Sequence, residues 1–111
     1  MSIVAHGLQS QGIRLAEELR RKLTDTLGAH IQVVLFGSQA RGDATEGSDY
    51  DILVVLPSLG KSTLDTVLEI AWEVGFKAGQ VISVVPATFG EMELLSASPF
   101  FQTVQREGIL V

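Results

Sequence analysis

Apolar positions along the chain repeat at two spacings, which divide it into alternating helical and extended segments. Leu15, Ala16, Leu19, Leu23 and Leu27 recur every three or four positions, predicting a first helix over 8–27 that Gly28 stops. Residues 31–36 are rich in β-branched side chains and too short for a helix, so they read as a first strand. A polar, glycine-bearing stretch follows over 37–48, and residues 49–56, closed by Pro57, read as a second strand.

Ser62 to Asp65 fits a capping box. Leu64, Val67, Leu68, Ala71 and Gly75 then keep helical spacing, so a second long helix is expected to about Lys77, with Trp72 read as part of its core face. Residues 80–85, ended by Pro86, read as a third strand. Thr88 and Glu91 suit a cap for a short helix, and Ser98-Pro99 marks a last helix that stops at Gly108. Phe100 and Phe101 are adjacent and cannot both enter one narrow core stripe. One of them is expected at the core's edge, on a partner surface, the alternative being that both are buried. The order of elements predicts a small α/β domain with a mixed sheet and flanking helices, residues 1–111 forming one domain. The strand–helix–strand unit implies a parallel pair with a right-handed crossover.

Candidate chemistry concentrates between the first two strands. Gly37 ends the first strand where the chain must turn tightly and where a side chain would block a ligand. Ser38 begins a short helical turn whose N–H groups favour a phosphate, its hydroxyl adds a donor, and Arg41 offers a guanidinium fork. Asp49 and Asp51 stand two apart at the start of the second strand, so their carboxylates share one face while Tyr50 and Ile52 point away. Two like charges that close repel unless a cation lies between them, and Mg²⁺ suits carboxylates combined with substrate phosphates. If the first two strands are antiparallel, the phosphate cradle lies over the carboxylate pair. His6 and His30 have no partner at motif spacing and are read as non-catalytic.

Composition narrows the classes. A hydrophobic share of 46% over 111 residues excludes wholesale disorder. The longest apolar run, 52–56, is far short of the roughly 18 residues of a membrane span, and the N-terminus lacks a secretory pattern. No cysteine is present, which removes disulfides, thiolate metal sites and cysteine nucleophiles. A cytoplasmic location is expected. Thirteen acidic against 8 basic residues give a net charge of −5. The one dense basic run, Arg20-Arg21-Lys22, reads as a solvated face paired with Glu17 and Glu18, so no direct binding to nucleic acid is expected.

Gly37-Ser38-Gln39-Ala40-Arg41-Gly42, followed by Ser48-Asp49-Tyr50-Asp51, resembles the signature of the nucleotidyltransferase superfamily that shares the DNA polymerase β fold. In a chain this short it resembles the minimal nucleotidyltransferases, including the ending Arg106-Glu107-Gly108-Ile109-Leu110. The resemblance implies that Gly37 and Ser38 hold the triphosphate of ATP. It implies that Asp49 and Asp51 are catalytic and ligate Mg²⁺ for attack at the α-phosphate. It further implies an antitoxin that transfers AMP to a tyrosine of an all-helical HEPN-type ribonuclease toxin.

The pattern departs from the family at one place. Active members carry a third acid on a later strand, as a metal ligand and base, but the best-placed residue here is Ser83. Asp43 and Glu46 in the loop are the available substitutes. Loss of a general base typically costs about 10²–10⁴-fold. Two readings therefore stay open: a Mg²⁺-dependent protein adenylyltransferase, and a catalytically weak module of the same fold that neutralises a toxin by complex formation. A chain of this length leaves no room for a second, acceptor-binding domain, which predicts an acceptor on a separate protein.

Overall fold

The computed structural model describes the backbone of residues 3–111 and the side chains of residues 10–111. His6 therefore lies outside the described side chains. The elements are α1 (Ile3–Leu27), β1 (Gln32–Phe36), α2 (Ser38–Arg41), β2 (Tyr50–Leu56), α3 (Lys61–Ala78), β3 (Ile82–Thr88), α4 (Phe89–Leu94), α5 (Pro99–Glu107) and β4 (Ile109–Leu110). No helix among the described residues is long and apolar enough to cross a membrane.

The four strands form one mixed sheet in the order β3-β2-β1-β4. β1 runs antiparallel to β2, with Phe36 opposite Asp51, and β2 runs parallel to β3. Both orientations agree with the sequence pattern. Every residue of β2 except Asp51 is buried, as expected of a central strand covered on both faces. Alternate residues serve alternate faces. Ile52 and Val54 join Leu15, Leu19, Leu23, Val67 and Val74 in the core beneath α1 and α3. Leu53 and Val55 face the other way, against Ala87, Phe101 and Val104.

Four local expectations are corrected. α3 begins at Lys61 with Gly60 as its N-cap and no side-chain cap, because the Leu64 N–H already donates to the Gly60 carbonyl at 2.9 Å. Ser62 is thus inside the helix and caps nothing. Trp72 is 65% exposed rather than core. The buried stripe of α3 is Val67, Ala71, Val74 and Gly75, and Trp72 sits a further 100° round from Ala71. β3 does not end at Pro86 but runs through it to Thr88. The Tyr50 N–H donates to the Val81 carbonyl, so Val81 and its odd-numbered successors turn their backbone groups toward β2. Pro86 then faces the open edge, where a missing N–H costs no ladder bond.

The fourth correction is β4, which the pattern did not predict. It pairs antiparallel with β1, Leu110 opposite Val34. Gly108 permits it, since a methyl there would lie 2.6 Å from Val34 Cγ1.

The capping box of Thr88 and Glu91 and the Ser98 cap form as expected. Phe101 is 7% exposed, whereas Phe100 is 41% exposed and packs edge-on against Phe36. The ring at the core's edge is therefore Phe100.

Candidate active site

The site forms where β1 ends and β2 begins. At Gly37 the backbone takes φ +74°, a region L side chains rarely adopt, and a methyl there would collide with the Asp51 carboxylate. The turn needs glycine both for its backbone and for the carboxylate it touches. Ser38 opens α2, whose first bonds run from the Ala40 and Arg41 N–H groups to the Gly37 carbonyl, both at 3.1 Å. Gly42, left-handed at φ +84°, ends the turn. The loop is folded on itself: the Gln39 side-chain amide donates to the Ser48 carbonyl at 3.3 Å, and the Thr45 N–H to Ser48 Oγ at 3.0 Å. This brings Asp49 back beside the turn.

Asp49 is exposed just ahead of β2, and Asp51 is half-buried in its first turn of pleat. The Asp51 carboxyl titrates above its ordinary value of 3.8, chiefly because burial penalises its charge, then because Asp49 repels it, with Arg41 opposing. Gly37, Ser38, Asp49 and Asp51 are thus together at one end of the sheet. Hard oxygen donors in a repelling pair fit a divalent cation such as Mg²⁺. Among the described residues no three His, Cys, Asp or Glu side chains converge to hold a metal. Neither Asp43 nor Glu46 therefore completes the pair, and substrate phosphates would have to supply the remaining ligands.

Ser83 is the register partner of Asp51 on β3, the position expected for the third acid, and it is exposed. Arg41 is not a free fork: its Nε donates to Asp43 at 3.2 Å and another guanidinium N–H to Glu107 at 3.3 Å. These two bonds, Asp43 first, hold its pKa above the ordinary value. Glu107 was not recognisable beforehand, since it stands 66 positions from Arg41 and no local spacing links them. His30 stacks on Phe89, away from the carboxylates, with ring centroids 5.4 Å apart.

Comparison with known proteins bears on the family and the fold. Residues 13–106 match the family model described as nucleotidyltransferase domain. A Methanocaldococcus jannaschii protein named for protein adenylyltransferase activity is 34% identical over 86 residues, which are 75% of this chain and 56% of the relative. A second protein of that organism, with the same name, is 43% identical over 54 residues, 49% of this chain and 50% of the relative. The chain thus spans about half the length of these curated relatives. The crystal structure of a nucleotidyltransferase from Sulfolobus solfataricus superposes with a TM-score of 0.62, covering 99% of this chain and 87% of that one, at 20% identity. That likeness shows the fold: a four-stranded mixed sheet with flanking helices.

Proposed function

The chain belongs to the family of nucleotidyltransferase domains, and from that premise we propose that it moves AMP from ATP to a hydroxyl on a second protein. The observation that carries the reading is the close approach of the Gly37 turn to Asp51, which sets the start of α2 beside a pair of carboxylates. Adenylyl transfer to protein is supported by the names of the two relatives. In full, we read the protein as an antitoxin whose acceptor is a tyrosine of an all-helical HEPN-type toxin.

In this reading Gly37 and Ser38 hold the triphosphate at the mouth of α2. Asp49 and Asp51 hold Mg²⁺, which when bound offsets charge on the phosphate oxygens. The acceptor oxygen bonds to the α-phosphorus while the bond to the bridging oxygen of the β-phosphate breaks, and pyrophosphate leaves with that electron pair. The hydroxyl proton goes to water, because β3 presents Ser83 where a carboxylate would receive it. Arg41, restrained by Asp43 and Glu107, orients α2 and meets the outer phosphates.

One observation favours a second reading. A hydroxyl opposite Asp51 leaves the site without a base, which suits a module that binds nucleotide and partner but turns over slowly. Calorimetry with ATP and Mg²⁺, repeated in EDTA, tests the metal-assisted site common to both; equal affinity in both buffers would remove it. Transfer of label from α-labelled ATP to a co-expressed partner separates the two readings.

A further inference from the structure

α3 buries one stripe and leaves another uncovered. Leu68, Trp72 and Phe76, each four positions from the next, form a ridge along its outer side, exposed by 46%, 65% and 70%. The Trp72 and Phe76 rings stack on each other at 4.9 Å, in solvent rather than in the core. Between this ridge and β3 lies a groove of about 410 Å³, floored by Ala71, Gly75, Ile82 and Val84. Apolar surface of this kind, contiguous and aromatic, marks interaction sites.

β3 is also the outermost strand, with an open edge. Because the odd-numbered residues turn toward β2, Ile82 and Val84 present their N–H and C=O groups outward. Pro86 has the same parity and no N–H, which ends the usable edge after those two residues. The edge suits a short extended segment and resists long strand pairing.

Charge selects the occupant. Asp65, Glu69 and Glu73 form a second row beside the ridge, all exposed and none in an ion pair among the described residues. Lys61 and Lys77 stand only at its ends. A second copy docked across a two-fold axis would set this acidic row against itself, in a chain of net charge −5. A basic segment would meet it favourably.

The groove lies on the face of the sheet that carries α1 and α3, opposite the one on which Asp51 projects, and reaches the signature loop through a neighbouring hollow. Gln80 borders both the groove and a polar hollow of about 290 Å³ lined by Gln39 and Ser48 of the signature loop. Ser83, between Ile82 and Val84, is the register partner of Asp51. A segment lying along β3 would pass two strand spacings, roughly 10 Å, from Asp51.

We propose that the outer edge formed by α3 and β3 is the docking surface for the protein partner, and that it takes an extended segment of alternating apolar and basic side chains. The inference rests on the reading above that a second protein is the acceptor or target. Trp72 is the sole tryptophan, so its emission reports the surface directly. The full chain is titrated with a synthetic peptide alternating leucine and lysine, and with one alternating leucine and glutamate. The lysine peptide should shift the emission to the blue and shield Trp72 from acrylamide, and the glutamate peptide should not. In a Glu69→Lys, Glu73→Lys protein the lysine peptide should bind about tenfold more weakly and the glutamate peptide should now bind. An equal response to both peptides, or to neither, would overturn the proposal. So would a blue shift that grows with protein concentration alone, which would assign the face to a second copy. Mg²⁺-dependent ATP binding by the unaltered chain is measured separately; its absence beside a normal peptide response would sink the nucleotidyltransfer reading and leave the surface standing.

Discussion

On the face of the sheet that carries α1 and α3, Leu19, Leu23, Leu35 and Ile52 are wholly enclosed, whereas on the opposite face Val34, Phe36, Val85 and Met92 stay partly exposed. Asp51 belongs to that second, less covered face, directly opposite Phe36 in β1. Both faces are served by the same strand, one residue apart. β2 gives Ile52 and Val54 to the closed side, and Asp51, Leu53 and Val55 to the open one. Apolar burial at roughly 25 cal/mol per Å² places most of the stabilisation on the first face. The second leaves Asp51 partly exposed, at the cost of a repelling carboxylate pair. A one-residue slip of β2 would exchange the two, so the dense face also fixes the aim of the site.

That contrast breaks if substitutions on the two faces have similar consequences. Asp51→Asn should lower Mg²⁺-dependent nucleotidyl transfer by about 10²-fold or more, with the melting temperature unchanged or slightly raised, since repulsion with Asp49 is relieved. Leu19→Ala, at a fully buried position, should cost about 3 kcal/mol of stability while the folded fraction binds nucleotide normally. Calorimetric binding alongside thermal unfolding of both variants reads the comparison. A large loss of melting temperature in Asp51→Asn would make the carboxylate a structural group.

The open face can also be sharpened. Ser83→Asp places a carboxylate opposite Asp51, where it could ligate metal and receive the acceptor's proton. Label transfer from α-labelled ATP should rise by up to about 10²-fold, with Asp49→Asn as the inactive control. Tighter Mg²⁺ binding without faster transfer would show that position 83 reaches the metal but does not limit the chemistry.

What could be read from the sequence follows from the range of each interaction. Helix faces, strand periods and the caps at Thr88 and Ser98 are local, and they form where the residue pattern puts them. The crossover gave the parallel pairing of β2 and β3, but not its register; Ser83 stood out as the partner of Asp51 only through the family resemblance. Trp72 was misplaced because an apolar residue beside a buried stripe carries no mark of which neighbour covers it. Pro86 ends a strand only if its nitrogen faces a partner, and that depends on the sheet order. β4 has two residues, too few for a period, and its pairing with β1 is long-range. The Arg41–Glu107 contact is hidden for the same reason.

A smaller effect concerns pH. The Asp51 carboxyl titrates above 3.8 when folded, so the native protein holds this proton more tightly than the unfolded chain does. Its contribution therefore favours the fold below the unfolded value and is lost as pH rises through the folded value. Without metal, the melting temperature of the unaltered protein minus that of Asp51→Asn should fall as pH rises through the range just above 3.8. A difference that rises with pH would mean the carboxylate is paired in the fold rather than repelled.

The smallest expected effect tests whether the two faces are joined at the site. Glu107 closes α5 on the open face and holds Arg41 together with Asp43, both contacts being exposed to solvent. Exposed pairs contribute little to stability, because water screens them and ordering long side chains costs entropy. Glu107→Gln should therefore leave the melting temperature almost unmoved. It should also free part of the guanidinium's charge for the triphosphate, giving a slight gain in ATP affinity that fades as salt is raised. A clear loss of affinity would reverse the interpretation: Glu107 would then be needed to aim Arg41 at the phosphates, and the open face would depend on the chain's last helix for its geometry.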